Sequence, residues 1–131
     1  MQLNFIHNQS VVSQSGQTLP VIDPSDGQTF DHIQRSQAAD IDAAVHAART
    51  AFEGSWGQLS AMERGRLLMA LSRKVAEHAA ELTALEQRDC GKPTRQAAAD
   101  ATALARYLEY YAGACDKLHG ETLPYHNGYS V

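Results

Sequence analysis

Between Pro93 and Leu118 the chain can be read as a single long helix. One face carries Ala97, Ala101, Leu104, Ala105, Leu108, Ala112, Cys115 and Leu118. A second line carries Ala99, Ala103, Tyr107 and Tyr110. At 1.5 Å per residue such a helix is roughly 39 Å long, more than a small chain needs to cover itself. A helix with apolar residues on two sides is covered on two sides. This segment therefore predicts a partner surface that the rest of the sequence does not obviously supply.

The segments before it have readable boundaries. Gly91 and Pro93 separate the last helix from an earlier one, glycine as a helix stop and proline as a helix start. Ser60-Ala61-Met62-Glu63 is a capping-box pattern. It predicts a helix burying Leu67, Leu68, Leu71 and Val75, with a bend near His78 before Leu82 and Leu85 resume the pattern. Asp40 is read as the N-cap of a helix burying Ile41, Ala44, Val45, Ala48 and Phe52. Gly54 to Gly57 stop it, and Trp56 is expected as a core anchor in the break. Residues 3–35 differ in kind. Short apolar groups alternate with turn residues, and Asp23-Pro24-Ser25-Asp26-Gly27 has proline to set φ and glycine to accept positive φ. Short antiparallel hairpins are predicted there. After Gly120 the pattern reads as extended, with Asn127-Gly128 as a hairpin turn and a strand beginning beyond it.

Several function classes are excluded by what is missing. The 131 residues are 44% hydrophobic, enough for one modest domain. Eleven basic and fifteen acidic residues give a net charge of −4, and the basic ones are scattered. That is no nucleic-acid footprint. No apolar run approaches membrane-spanning length. MQLNFIHNQS has no signal-peptide character, so the cytoplasm is the expected compartment. There is no phosphate loop, dinucleotide glycine fingerprint, nucleophile elbow or H-E-x-x-H pattern. The six histidines are dispersed without metal spacing.

LEQRDCGKP, Leu85 to Pro93, is the one stretch that crowds reactive groups together. Cys90 falls at a helix C-terminus, where the dipole opposes a thiolate, and reads as a small half-buried residue beside a glycine cap. Cys115 lies on the apolar stripe of the last helix and reads as core. Asp89 is the more informative residue. An acid in the last helical turn opposes the dipole, so it either pairs with Arg88 or Lys92 at the surface or has a specific partner, including a cation.

Six stretches carry a resemblance: FIHNQSV, PVIDPSDGQTF, DIDAAVHAARTAFEGSW, SAMERGRLLMALSRKV, ELTALEQRDCGKP and YLEYYAGACDKLHGETLP. In this order and at these separations they resemble the N-terminal portion of the aldehyde dehydrogenase superfamily, from about Phe5 to Val131. SAMERGRLL and YLEYYAG are similar to the betaine-aldehyde and semialdehyde branches. Two positions depart from the family pattern. His7-Asn8-Gln9-Ser10 stands where Asn-Gly is common, and Cys90 stands where Thr or Asn is usual.

The resemblance implies an α/β parent fold with a Rossmann-type cofactor domain. This chain would supply N-terminal β-hairpins, about four helices and a C-terminal strand. Residues 1–119 would belong to the NAD(P)-binding domain and 120–131 would start the oligomerisation arm. The parent would oxidise an aldehyde to an acid with NAD or NADP, through a cysteine thiolate and a water activated by a glutamate. Those residues lie beyond Val131, and neither Cys90 nor Cys115 matches the catalytic motif. The resemblance also implies a K+ or Na+ site at Val21, Ile22 and Asp89. It implies a substrate-tunnel wall at Ala99, Ala103 and Tyr107, and a homo-oligomer, dimer or tetramer. The other class of function open to the chain is a stand-alone helical interaction or oligomerisation module without enzymatic activity.

Overall fold

The computed structural model describes residues 1–121, 123 and 127–128. The expected strands form two separate antiparallel hairpins. The first pairs β1 (Asn4–Ile6) with β2 (Gln9–Val11), with Phe5 opposite Ser10. Its two turn residues, His7 and Asn8, have φ of 52° and 61°. Two successive left-handed residues are the geometry of the tight hairpin turn that Asn-Gly also makes. The departure at this turn therefore leaves its geometry in place.

The second hairpin pairs β3 (Thr18–Ile22) with β4 (Thr29–Gln34), and a bulge breaks the register between Val21 and Ile22. Its turn is fixed locally. The Asp23 carboxylate accepts from Ser25 N–H at 2.9 Å and Ser25 Oγ at 2.6 Å, and Asp26 accepts from Gln28 N–H at 2.8 Å. Gly27 takes φ +72°. This is the side-chain mimicry of a turn that aspartate favours.

Five helical segments follow: α1 (Ala38–Glu53), α2 (Ser55–Gln58), α3 (Ala61–Glu77), α4 (Ala79–Cys90) and α5 (Thr94–Ala114). The Ser60–Glu63 capping box opens α3 as expected, and His78 is the joint between α3 and α4. Gly91, at φ +69°, caps α4. The first helix starts three residues earlier than predicted. Gln37 is its cap and Asp40 is the third helical residue. Asp40 Oδ2 accepts from Gln37 N–H at 2.8 Å while Oδ1 accepts from Gln14 N–H at 2.9 Å. These two donors hold its carboxyl below the usual aspartate value. One buried acid thus ties the loop after β2 to the start of α1.

The core is a seam between α3 and α5, built from small residues. Ala97, Ala101, Ala105 and Ala112 are buried on α5, and Gly65 and Ser72 on α3. A Cβ on Gly65 would stand 2.6 Å from the Ala112 carbonyl oxygen. Seven residues further along α3, Ser72 Oγ donates to the Ala105 carbonyl at 2.7 Å. The two contacts step in opposite directions along the two helices, so the pair is antiparallel and its backbones nearly touch.

Several predicted faces are open. Ile41, Val45, Phe52 and Trp56 are exposed, Phe52 at 69%. Leu67, Leu71 and Leu104 are exposed as well. On α3 the covered stripe is Gly65, Leu68, Ser72 and Val75, one step around from the predicted one. The apolar period was real, but α1 lies against little more than α2 and β1, so among the described residues its stripe is left open. Helix α5 ends at Ala114, four residues early, and Leu118 is 88% exposed. Gly113 adds backbone freedom in the last turn, and among the described residues Leu118 is left uncovered. Cys115 is half-buried. The expected C-terminal strand falls mostly outside the described residues; Asn127 and Gly128 lie in a turn, with Gly128 at φ +95°.

Candidate functional site

The second hairpin and the helices enclose an open groove of about 610 Å³. Val21, Phe30, Asp31 and Ile33 form its hairpin side. Leu82, Leu85, Glu86 and Asp89 of α4, with Ala97, Asp100, Ala101 and Leu104 of α5, form the other. The wall is largely apolar with four carboxylates. Asp31 is engaged by the Met1 amino group at 2.6 Å, and also by His32 N–H and Gln2 Nε2, which hold its carboxyl well below the usual range. Val21 and Asp89, two of the three residues expected at a cation site, share this groove; Ile22 is not part of its wall.

Neither neighbouring cation goes to Asp89. Lys92 Nζ bonds Asp100 at 2.6 Å and Glu86 on its other side, which raises its pKa above the ordinary lysine value. The Arg88 guanidinium stands over the Phe30 ring at 4.4 Å and reaches Asp23 at 3.6 Å. The Ser25 hydrogen bonds, with a smaller contribution from Arg88, hold the Asp23 carboxyl below its usual value. Among the described residues no basic group lies within ion-pair distance of Asp89. Asp89 is exposed, as the surface reading expects, but the pairing with Arg88 or Lys92 is not made. Asp89 lies in the last turn of α4, where an acid opposes the helix dipole and Arg88 is the basic residue of the same turn.

The joint between α4 and α5 is held against the hairpin turn. Gly91 occupies left-handed space, and a Cβ there would also come 2.9 Å from Pro24 Cγ. Cys90 is exposed, not half-buried, and its thiol donates to the Glu86 carbonyl at 3.1 Å. No activating contact reaches it. The roles of Arg88, Phe30 and Lys92 were not legible in the sequence. Glu86 and Asp100 lie six and eight residues from Lys92, and only the crossing of α4 with α5 brings them together.

The expected tunnel residues lie on the opposite side of α5 from the seam. Ala103 and Tyr107 share a shallow groove with Arg106, Tyr110 and Tyr111. Tyr110 and Tyr111 meet edge to face, with centroids 5.3 Å apart. Ala99, one turn earlier, is exposed outside that groove. Among the described residues, no three His, Cys, Asp or Glu side chains cluster as metal ligands, and no helix is long and apolar enough to cross a membrane.

Comparison with known proteins places this architecture. Residues 11–131 match the model of the aldehyde dehydrogenase family, and the chain belongs to that family. It corresponds to the N-terminal portion of the superfamily. It is 44% identical over 129 residues to aldehyde dehydrogenase family 2 member B4, mitochondrial, of Arabidopsis thaliana, covering 97% of this chain and 24% of that one. It is 42% identical to human retinal dehydrogenase 2, over 95% of this chain and 25% of the relative. Among solved structures it superposes on a protein from Burkholderia cenocepacia assigned as an aldehyde dehydrogenase. The TM-score is 0.94 at 58% identity, over 98% of this chain and 27% of the other. PnpE, solved with nicotinamide adenine dinucleotide, gives 0.91 at 35% identity, over 98% of this chain and 26% of PnpE. The chain thus spans about a quarter of the length of the relatives it matches.

Proposed function

We propose that this chain is the N-terminal part of an NAD(P)+-dependent aldehyde dehydrogenase, an enzyme that oxidises an aldehyde to a carboxylic acid. It provides scaffold, a cation site and a wall of the substrate tunnel, and the bond-making residues lie elsewhere. The observation that carries this reading is the open apolar surface on well-formed helices. Phe52 on α1 is 69% exposed and Tyr110 on α5 71% exposed, with Leu67, Leu71 and Leu104 also open. Such faces belong to a piece made to be covered. Residues 1–119 go to the NAD(P)-binding domain and 120–131 to an oligomerisation arm of a dimer or tetramer. NAD or NADP serves the whole enzyme and is not held by this segment alone.

K+ or Na+ is the cation the site suits. Backbone carbonyls at Val21 and Ile22 and the Asp89 carboxylate are hard oxygen donors. The bulge between Val21 and Ile22 is the kind of irregularity where a strand's backbone is re-aimed. Bound there, the ion ties the hairpin to α4 and takes no part in a chemical step. Ala99, Ala103 and Tyr107 wall the tunnel, with Ala103 and Tyr107 already in one groove. The cytoplasm suits a chain whose two cysteines are both free.

The test is complementation. The purified chain alone reduces no NAD+ in the presence of an aldehyde. Co-expressed with the remaining three quarters of a relative, it restores aldehyde-dependent NAD+ reduction. A soluble, inactive complex, or activity from the chain alone, overturns the reading. The Asp89→Ala variant in the complemented enzyme loses the K+- or Na+-dependent part of thermal stability; unchanged melting with and without the ions overturns the cation site.

A further inference from the structure

We propose that Arg88 is a positioning residue for this cation site, a strap that holds the carbonyl limb opposite Asp89 while keeping its own charge off Asp89. The inference rests on the cation reading above and adds to it a residue that donates nothing to the ion.

Arg88 makes two contacts with the second hairpin, beside the groove rather than within it. Its guanidinium lies 4.4 Å from the centre of the Phe30 ring on β4. Its Nε stands 3.6 Å from Asp23 Oδ2, in the turn that directly follows Ile22. A flat cation stacked on a ring and paired to a carboxylate is a site for arginine rather than lysine. Asp23 is itself locked by Ser25, so the anchor at the far end is rigid. Beside it, a Cβ on Gly91 would stand 2.9 Å from Pro24 Cγ, so a side chain there would force the turn and the helix end apart. Arg88 and Gly91 thus hold the turn that carries the carbonyl limb onto the helix end that carries Asp89.

The second half of the argument is electrostatic. Arg88 and Asp89 are consecutive on a helix and project in different directions. An unanchored arginine could nevertheless fold back over the neighbouring acid. Asp23 and Phe30 occupy the guanidinium instead, as Glu86 and Asp100 occupy Lys92. Both basic groups within reach are diverted, which leaves the Asp89 carboxylate for a small inorganic cation.

The experiment is thermal melting of the complemented enzyme across a KCl series. N-methyl-D-glucamine chloride replaces KCl at constant ionic strength. The readout is the KCl concentration giving half of the ion-dependent rise in Tm. Arg88→Ala raises that concentration about tenfold, the scale of one exposed cation–π contact plus one ion pair. Arg88→Lys keeps the charge, loses the stack and falls between the two. Phe30→Leu matches Arg88→Lys. Hydrogen exchange of amides 23–28 quickens in Arg88→Ala. A wild type whose Tm ignores KCl sinks the cation site and the strap together. A wild type that responds, with Arg88→Ala responding at the same concentration, sinks the strap alone. A Tm lowered equally at every KCl concentration also overturns it, because that is a purely structural effect. Should Arg88→Ala fail to fold, the Lys and Leu variants carry the same comparison: an unshifted midpoint in both overturns the proposal.

Discussion

Helices α3 and α1 both carry apolar periods, yet only α3 has a covered face. That face meets α5 through Gly65 and Ser72, where the backbones come almost into contact, while Leu67 and Leu71 beside it stay exposed. The α1 stripe, with Ile41, Val45 and Phe52, faces outward. Both patterns announce a face that must be buried. Neither says what buries it. The partner of α3 is α5, whereas the described residues leave the α1 stripe open, which is what a quarter-length segment of a larger enzyme should look like.

The contrast can be broken most severely at Gly65. Gly65→Val drives a branched side chain into the Ala112 carbonyl and should destabilise the chain by about 3 kcal/mol, the upper range for overpacking. Urea unfolding measures this, and a loss under about 1 kcal/mol would mean that the seam is loose. A middle-sized effect is expected at Asp40, and it depends on pH. Its carboxyl is held below the ordinary value of 3.8 in the folded chain. Its contribution is therefore complete at neutral pH and fades as pH falls through the lowered folded value. Asp40→Asn should be less stable than the parent chain at pH 7, and the gap should narrow in acid. A gap constant from pH 7 to about pH 2 would show that the carboxylate does not tie Gln14 and Gln37. The smallest effect belongs to the open face. Phe52→Ser in the isolated chain should change stability by no more than about 0.5 kcal/mol, as for an ordinary surface site. In the complemented enzyme the same substitution should cost several times more. Equal costs in the two settings would mean that α1 stays uncovered.

Local chemistry was the most legible part of the sequence. Ser60 with Glu63, the Asp23–Gly27 turn, and Gly91 before Pro93 each act within a few residues, and the structure has each where the sequence puts it. The long apolar periods were also real. What failed was the step from period to burial, because burial depends on neighbours. Trp56 and Phe52 look like core by residue type, yet among the described residues Phe52 stays 69% exposed and Trp56 is only partly covered. Gly65 and Ser72 gave no hydrophobic signal at all, though they make the close approach between α3 and α5. At the site, Asp89 was legible because an acid in a last helical turn is anomalous. Arg88 was not, since its partners lie 58 and 65 residues upstream at Phe30 and Asp23. Only the docking of the hairpin on α4 brings them together.

Gly91 has a consequence for how this segment can vary. It is subject to two separate constraints, a backbone angle that side chains rarely adopt and a gap to Pro24 that a Cβ enters only if the turn shifts. Relaxing either one alone leaves the other in force. Immediately before it, Cys90 is exposed and its thiol contacts only Glu86 within its own helix. In a library covering every position from Leu85 to Pro93, survivors should keep position 91 invariant while position 90 accepts most residue types. The crowded stretch would then divide into a fixed hinge and a free neighbour, and the reactive-looking thiol would be the part that evolution can spend.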